Sequence, residues 1–305
     1  MFIWWIKKYS FFYDRILEDI FDVQDEIVRK ISYTLFGEIE LSSLQRANRK
    51  PTDTLSSYEL LLKGKALHHK VQKDALLNAL DTFDSAIKAD EKNGQAYAWK
   101  ACALGQGLFR GYIEEDFNVV WKQAEDNLKK ARELNENDFE VHRLMSEVTL
   151  AMKDFRAAQR HSKLAYDMVP NDPRVLSVYG DVCVRTGKVD EGVDALKLAL
   201  DLDPIPQGKT NADPRHAGLL FAYYMSRDKD GCLEQIGHLD EIDVRSWLIT
   251  TKICSDEEHD YENLDWFKEG KKLFADKDWG KVVPDFRLNN DSASEALIEF
   301  GKGLF

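Results

Sequence analysis

The stretch Met168-Val-Pro170-Asn-Asp172, taken together with Leu202-Asp-Pro204, decides the fold of this chain. In both places a proline follows a run of apolar residues at helical spacing and ends the helix, because proline has no amide hydrogen for a helix to use. Pro170 and Pro204 are 34 residues apart. A fixed period of this length indicates an internal structural repeat.

Small residues recur in the same register as the two prolines. They are needed where two helices cross closely, because the side chains at the crossing set the distance between the helix axes. A helix–turn–helix of this period is the tetratricopeptide pattern, and such units stack into a solenoid. We therefore predict an all-α, right-handed superhelix of about five to six helical pairs. The equivalent small residues are Ala165 and Ala199, Ser146 and Gly180, and Ala158 and Gly192.

Two units follow the pattern without interruption. In the first, Phe139–Asp172, we predict helices at about Phe139–Met152 and Phe155–Val169. The second, Pro173–Ile205, has its turn at Thr186-Gly187-Lys188. Glycine in that turn suits the left-handed conformation that ends a helix.

The other units are less regular. The turn of the first pair is lengthened around Val71–Asp74, and that of the second pair is lengthened much more, across Gly107–Val119. We expect the aromatic side chains of the longer insertion to pack against the preceding helix, and the alternative is an exposed interface. These aromatic residues are Phe109, Tyr112 and Phe117. Two weaker pairs follow, His216–Met225 with Asp230–Leu239 and Asp243–Ile253 with Tyr261–Ala275.

The two ends of the array carry their own signals. Before the repeats, apolar residues at helical spacing predict a long helix that begins at the N-cap Asp22 and ends before Pro51. After them, Ser292-Ala-Ser-Glu295 predicts a capping box that opens a last helix. The apolar face of that helix is predicted to be Ala296, Leu297 and Phe300. The predicted divisions are an irregular remnant of an upstream domain (1–12), a linker helix (13–50), a tetratricopeptide-repeat domain (51–290) and a C-terminal capping helix (291–305).

Charge and composition exclude several classes of partner. The net charge is −12, whereas nucleic acid and anionic membranes attract clustered lysine and arginine. The apolar start Met1–Ile6 is too short to span a bilayer, and its charged residues follow the apolar run rather than precede it as in a signal peptide. The four cysteines form no Cys-x-x-Cys pair, so we expect free structural thiols in a reducing, cytoplasmic compartment. We expect no nucleic-acid partner and no membrane insertion.

No pattern of catalytic, cofactor-binding or metal-binding residues stands out. His68 and His69 are adjacent, so on a helix their side chains point about 100° apart and cannot share one ion. His142 and His161 could approach each other across one helical pair, but spacing reveals no carboxylate or thiol to join them. Neither a Gly-x-x-x-x-Gly-Lys-Ser/Thr loop nor a Gly-x-Ser-x-Gly elbow occurs. We expect no cofactor and no enzymatic activity.

Two segments resemble a known arrangement. They are Tyr13-Asp-Arg-Ile-Leu-Glu-Asp-Ile-Phe-Asp-Val-Gln-Asp-Glu-Ile27 and Arg49-Lys-Pro-Thr-Asp-Thr-Leu-Ser-Ser-Tyr-Glu-Leu-Leu-Leu-Lys-Gly64. Both are similar to the segment that precedes tetratricopeptide repeats in bacterial multidomain proteins described as class III adenylate cyclases, or in winged-helix regulators with the same repeat region. The resemblance implies that this chain is the C-terminal part of such a protein, without the catalytic or DNA-binding domain.

The concave groove is the candidate binding surface. In a tetratricopeptide array the first helix of each pair lines this groove, and the variable positions of the motif face inward. The clamp that chaperone-binding relatives use for a terminal carboxylate is absent, because the matching positions hold Leu61, Lys65, Ala98 and Cys102. The mixed charges favour a polar peptide or a neighbouring domain as the ligand. The candidate groove residues are Tyr58, Lys65, His69, Gln95, Gln106, Glu140, Arg143, Glu147, Arg174, Asp181 and Arg185.

The sequence thus predicts a non-enzymatic scaffold that holds a protein or peptide partner in the groove. The alternative is a fragment of an adenylate cyclase, acting in cyclic AMP signalling through a catalytic domain that this chain lacks. The reading frame upstream of Met1 would distinguish the two.

Overall fold

The computed structural model describes residues 37, 39–49, 55–206 and 211–305. Within these ranges the regular structure is helical and no strand occurs. The helices are α1 Ser57–His68, α2 Lys73–Ala89, α3 Gly94–Phe109, α4 Phe117–Leu134, α5 Phe139–Ala151, α6 Phe155–Met168, α7 Pro173–Arg185, α8 Val189–Leu202, α9 Asp213–Ser226, α10 Lys229–Ile236, α11 Val244–Asp256, α12 Asp265–Leu273, α13 Trp279–Val282, a 3-10 helix Val283–Phe286, and α14 Asp291–Gly303.

Part of the predicted N-terminal organisation is visible. The irregular remnant at 1–12 and the N-cap Asp22 lie outside the described residues. Residues 39–47 are helical and form the described end of the predicted linker helix, which we call the leading helix. Ala47 of this helix is fully buried and joins the core around α1 to α5.

Aspartate side chains cap the N-termini of several helices. The carboxylates of Asp138, Asp172 and Asp243 each accept hydrogen bonds from two backbone amides in the first turn of α5, α7 and α11. These amides have no partner within their own helix, so the caps stabilise the helix starts. Pro173 follows Asp172 at the first helical position, where its fixed φ and missing amide hydrogen cost nothing.

The predicted repeat is confirmed residue by residue. Ala165 and Ala199 are both buried near the ends of α6 and α8, and their carbonyl oxygens accept the capping amides at 3.0 and 3.1 Å. Gly187 has the predicted left-handed conformation, with a φ of +89°. Lys153, its equivalent in the preceding unit, adopts a φ of +60° in the same kind of turn. The predicted helices Phe139–Met152 and Phe155–Val169 match α5 and α6 within one residue at each end, and the predicted turn Thr186-Gly187-Lys188 lies between α7 and α8.

The small residues lie at close helix crossings, also as predicted. In the α5–α6 pair Ser146 Oγ donates to the carbonyl oxygen of Ala158 at 3.0 Å. In the α7–α8 pair a Cβ atom added to Gly180 would lie 2.9 Å from the carbonyl oxygen of Gly192. Real Cβ atoms do not approach so closely, so the crossing requires glycine there.

The long insertion in the second pair is more helical than the sequence indicates. Helix α3 continues to Phe109 and α4 begins at Phe117, so only residues 110–116 form the connection. Tyr112 packs inward, and its hydroxyl donates to the carbonyl oxygen of Val71 at 3.2 Å. Phe109 and Phe117 remain 46% and 43% exposed. The expectation that the aromatic residues pack inward therefore holds for Tyr112 alone.

The six helical pairs α1–α2 to α11–α12 form two layers. The first helices of successive pairs, from α1 to α11, contact one another in a row. The second helices contact their own first helix and the next one, but have no comparable contacts with each other in the described part of the chain. Because the first helices lie closer together, they form the inner layer of a curved array.

The C-terminal pairs pack around Trp247. Its indole ring is fully buried and stacks on Phe267 and Trp279, with centroids 5.7 and 6.1 Å away. Helix α12 approaches so closely that a Cβ atom on Gly270 would lie 2.1 Å from Trp247 Cδ1. Helix α14 packs on α11 and buries Leu297.

The predicted capping box at Ser292–Glu295 is wrong. The side chain of Asn290 accepts from the amide of Ala293 and caps α14, so Ser292 already lies inside the helix. An asparagine two residues earlier supplies the same kind of acceptor and takes over the N-cap position. Ala296 is exposed, and the buried face of α14 consists of Leu297 and Gly301.

A short segment links the last helices to the middle of the array, and we call residues Val283–Leu288 the strap. Phe286 and Leu288 are buried in the C-terminal core. Arg185 of α7 donates to the backbone carbonyl oxygens of Phe286 and Arg287, the latter at 2.7 Å. The guanidinium of Arg287 lies 5.6 Å from the ring centroid of Phe109 on α3. The strap therefore crosses the inner face from the last helices towards the second pair.

Candidate partner-binding surface

Three inner helices bring charged side chains to one point, the Glu140 carboxylate, and a fourth contributes Trp99. Arg143 Nε donates to it at 2.9 Å, and Trp99 Nε1 donates to its other oxygen at 3.2 Å. Lys65 Nζ and Arg174 Nη1 lie 3.8 and 3.7 Å from it. Burial alone would raise the pKa of this carboxyl group, but Arg143, Arg174 and Lys65 together hold that pKa well below its usual range.

The cations around Glu140 have further partners of their own. Lys65 Nζ lies 2.8 Å from Glu40 on the leading helix. Arg143 Nη1 donates to Glu147 at 2.8 Å, and Arg174 Nη2 pairs with Asp172 at 2.6 Å. Lys65 and Arg143 also lie over the Trp99 ring, each 5.4 Å from its centroid. The side chains of Lys65, Glu140 and Arg143 are between 2% and 6% exposed.

This charge network changes how the predicted groove residues are understood. The structure brings Lys65, Glu140, Arg143, Glu147 and Arg174 together, but it compensates their charges within the chain. A buried network of this kind holds the inner helices in register and breaks at a high energetic cost if one member is removed. That these residues contact a partner stays a prediction.

The other predicted groove residues are spread along the inner layer. Tyr58 is exposed, and burial of its hydroxyl together with Glu40 raises its pKa. Gln95 donates to Asp138 at 2.9 Å and so supports the cap of α5. Asp181 accepts from Arg185 Nε at 3.0 Å on both carboxylate oxygens. The last two predicted groove residues are Gln106 and His69. Gln106 Oε1 and His69 Nδ1 are buried and have no hydrogen-bond partner in the described residues.

A cavity of about 450 Å³ opens on the inner surface beside Gln106. The aromatic rings of Phe109 and Trp121 line it together with Arg287 of the strap. Burial raises the pKa of the Glu147 carboxyl group, and Arg143 opposes that effect. The cavity thus combines apolar walls with a few polar groups, as sites for peptide side chains do. Its lining is Cys102, Gly105, Gln106, Phe109, Arg110, Trp121, Glu147, Val148, Ala151, Asp285 and Arg287.

Aromatic side chains continue from the cavity wall to the surface. Phe117 and Trp121 stack with their centroids 6.2 Å apart, and Phe109 meets both edge-on at 6.2 and 6.4 Å. Trp121 Nε1 donates to Glu125 at 3.0 Å. Exposed aromatic clusters of this kind are typical of interaction sites.

Two histidines next to the inner surface are held neutral. Burial lowers the pKa of His68 to about 4, aided by Arg143, and that of His69 to about 3, aided by the neighbouring His68. Cys102 Sγ lies 3.7 Å from His68 Nε2, but burial raises the pKa of this thiol. A neutral thiol beside a neutral imidazole is not an activated nucleophile.

His142 and His161 do approach each other across the α5–α6 pair, as predicted. Their Nδ1 atoms lie 3.0 Å apart, and His142 Nε2 lies 2.8 Å from the carbonyl oxygen of Glu136. His142 therefore carries its hydrogen on Nε2, and His161 donates from Nδ1. Burial lowers the pKa of His161 to about 4, with His142 and Arg160 adding to the effect.

The described ranges contain no group of three or more side chains that could hold a metal ion. Cys183, Cys232 and Cys254 are buried free thiols, and Cys102 is a partly buried one. In the same part of the chain no helix has the length and apolarity needed to cross a membrane.

Sequence reasoning missed three arginines of this surface, namely Arg215, Arg245 and Arg287. Two of them had a detectable signal. Asp172-Pro-Arg174 at the start of α7 recurs as Asp213-Pro-Arg215 at α9 and as Asp243-Val-Arg245 at α11. A search for this tripeptide would have found both, whereas the fixed period of 34 would not, because Arg215 and Arg245 lie 41 and 71 residues after Arg174. Arg287 lies in the strap, which has no periodic counterpart.

No family model matches the chain, and no curated protein sequence matches it. Among solved structures, the hetero-tetramer Cut9-Hcn1 of the APC/C has a TM-score of 0.58 and 14% identity over 87% of this chain and 45% of its own. A tetratricopeptide repeat protein from Parabacteroides merdae has a TM-score of 0.46 and 14% identity over 92% and 98%. TTC0263, a tetratricopeptide protein from Thermus thermophilus, has a TM-score of 0.46 and 19% identity over 72% and 100%.

The fold is an α-solenoid of the tetratricopeptide type. The predicted fold class is confirmed by the stacked helical pairs and by this likeness. At these identities the comparison concerns the fold alone.

Proposed function

We propose that the chain is a non-enzymatic scaffold that binds a protein or peptide partner on its inner surface. The observation that carries the proposal is the cavity beside Gln106, which lies on the inner layer and is flanked by the exposed rings of Phe109 and Phe117. Exposed aromatic rings next to a cavity provide an anchor pocket with an apolar rim. The scaffold holds one segment of the partner along the row of first helices.

Site-specific cross-linking tests this proposal. Benzoylphenylalanine is introduced at Phe109 on the cavity wall, and in a second chain at Leu164, which is similarly exposed on α6 of the outer layer. We expect a cross-linked protein from an extract of the source cells at position 109 only, competed by an excess of the unmodified chain. Equal cross-linking at both positions, or none at either, contradicts the proposal.

We also infer a cellular context from the resemblance of residues 13–27 and 49–64 to a bacterial linker. In that context the scaffold is the regulatory C-terminal part of a bacterial signalling protein in the cytoplasm, and it adjusts an effector domain carried elsewhere. Purified chain incubated with ATP and Mn²⁺ should form no cyclic AMP. Turnover above that of a heat-denatured sample would contradict the non-enzymatic assignment.

A further inference from the structure

Arginine lies in the first turn of three successive inner helices, but only two of these arginines pair with a carboxylate. Arg174 Nη2 lies 2.6 Å from Asp172, and Arg215 Nη2 lies 3.1 Å from Asp203. The guanidinium of Arg245, at the start of α11, has no carboxylate oxygen within 4.0 Å in the part of the chain that the structure describes. The three positions are alike in sequence, so the difference lies in what surrounds Arg245.

The surroundings of Arg245 are aromatic and already positively charged. Its guanidinium lies 5.1 Å from the centroid of Phe221, and Arg185 lies over the same ring at 4.5 Å. One Nη2 atom reaches the carbonyl oxygen of Ala217 at 3.4 Å. Asp243, the nearest acid on the same helix, accepts from the amides of Arg245 and Ser246 at the helix start. Its carboxylate is therefore used for the cap.

Arg287 of the strap is in a similar position. Its guanidinium lies over Phe109, and no carboxylate oxygen lies within 4.0 Å of it among the described residues. Arg185, between Arg245 and Arg287, donates from Nε to both carboxylate oxygens of Asp181 at 3.0 Å. The C-terminal half of the inner surface thus holds two guanidinium groups that form no ion pair among the described residues, in a chain whose net charge is −12. The carboxylates of Asp181, Asp243 and Asp285 act on them only from a longer distance.

A partly buried cation without a counter-charge is costly, because burial removes water that would otherwise stabilise it. Burial lowers the pKa of both Arg245 and Arg287, the charge of Arg185 lowers it further, and the charge of Asp181 partly offsets these effects. The fold nevertheless keeps both side chains at the inner surface. The planar guanidinium has the geometry that carboxylates bind best.

We propose that Arg245 and Arg287 bind the carboxylates of an acidic segment of a peptide partner. The cavity beside Arg287, walled by Phe109 and Trp121, accommodates an apolar side chain next to the acidic residues. This inference rests on the proposed function, and it adds the chemistry of the partner. The site differs in place from the predicted groove positions, since it lies on α11 and the strap.

Fluorescence anisotropy with a defined probe tests the inference. The probe is a fluorescein-labelled peptide that ends in Glu-Glu-Phe after a Gly-Ser spacer, with matched peptides in which Gln-Gln replaces Glu-Glu or the C-terminus is amidated. We expect the Glu-Glu probe to bind the full chain, and the Gln-Gln peptide to bind at least about tenfold more weakly. If the amidated peptide binds with the same affinity as the Glu-Glu probe, the side-chain carboxylates are the groups that bind. If the amidated peptide no longer binds, the terminal carboxylate is that group.

Variants locate the site. R245Q and R287Q together should weaken probe binding at least about tenfold. R156Q, which removes an exposed arginine from the outer helix α6, should change it less than about twofold. Unchanged binding by the double variant, or equal binding of the Gln-Gln peptide, would overturn the inference.

Stability without ligand provides a second readout. R245M should melt at the same temperature as the unmodified chain or higher, because it removes a partly buried charge that forms no ion pair. R185M should melt lower, because it breaks the pair with Asp181 and the bonds to the strap. If the melting temperature of R245M decreases as much as that of R185M, Arg245 has a structural role and the inference is overturned.

The cross-linking experiment separates this inference from the proposed function. A partner that cross-links at position 109 equally well in the R245Q and R287Q double variant would overturn the inference but not the proposed scaffold. Probe binding without any cross-linked partner would instead contradict the scaffold alone.

Discussion

At the scale of single residues, the inner charges converge on Glu140. Glu140→Gln keeps the size of the side chain but leaves Lys65, Arg143 and Arg174 facing a neutral amide. We expect the free energy of unfolding to fall by about 3 kcal/mol, since removing one member of a buried ion network leaves uncompensated charge. Urea unfolding, monitored by circular dichroism, measures this change in the free energy of unfolding.

The matched control is Glu133→Gln on α4, whose carboxylate is exposed and lies 4.0 Å from Lys129. Its effect should stay below about 0.5 kcal/mol. Equal unfolding midpoints for the two variants would show that the Glu140 network contributes no more to stability than a surface ion pair.

The buried histidines make stability depend on pH. Folding lowers the pKa of His161 from 6.5 to about 4, so the unfolded chain binds a proton more readily than the folded one as the pH falls. The contribution of His161 is present above pH 6.5 and is lost between pH 6.5 and 4. His68 and His69 act in the same direction.

We therefore expect the free energy of unfolding to fall between pH 7 and pH 5. His161→Gln cannot be protonated and can still donate to His142, so its loss over this interval should be smaller by about 1–2 kcal/mol. Urea unfolding at both pH values measures the difference. If the free energy of unfolding falls equally in the variant and in the unmodified chain between pH 7 and pH 5, His161 does not contribute to the pH dependence.

At the scale of the elements, two helical glycines behave oppositely. Gly270→Ala places a methyl group against the buried indole of Trp247, so we expect a loss of about 2 kcal/mol or more. Gly218→Ala in α9 meets only Leu196 Cδ2 at 3.8 Å, so it should gain about 0.5–1 kcal/mol from helix propensity. Thermal unfolding of both variants checks the signs, and two variants of equal stability would contradict this packing.

The helices that could be predicted are those whose signals are local and periodic. The proline and alanine positions of α5 to α8 repeat every 34 residues, and their helix ends follow. The insertion in the second pair was misjudged, because the tetratricopeptide pattern has no counterpart for longer helices at Phe109 and Phe117. The start of α14 was misplaced, because Asn290 and Ser292 both supply a capping acceptor and sequence alone does not rank them.

The candidate site could be predicted less well than the helices. Register alone pointed to Lys65, Glu140, Arg143 and Arg174 as residues of one face, and in the structure their side chains meet. It could not show that they bind each other, because whether charges in a groove are compensated depends on distances between helices. The strap was beyond prediction, since Arg185 and Arg287 are about a hundred residues apart and share no periodic signal.

At the scale of the whole molecule, Arg185 fastens the strap to the middle of the array. Arg185→Met removes its bonds to the carbonyl oxygens of Phe286 and Arg287, so residues 279–290 should exchange their amide hydrogens faster. Hydrogen–deuterium exchange with mass spectrometry measures this, with Arg156→Met as the control. Unchanged exchange in that segment would mean that the buried side chains Phe286 and Leu288 suffice to hold it.

This fastening has a mechanical consequence. An open solenoid is a spring, since each unit touches only its neighbours and small changes of angle add up along the stack. The strap connects the last helices to α7 and reaches towards α3. The part of the solenoid between these contacts therefore cannot lengthen until the hydrogen bonds of Arg185 break. A pulling force should therefore meet a stiff initial resistance and then a sudden release, rather than a gradual extension.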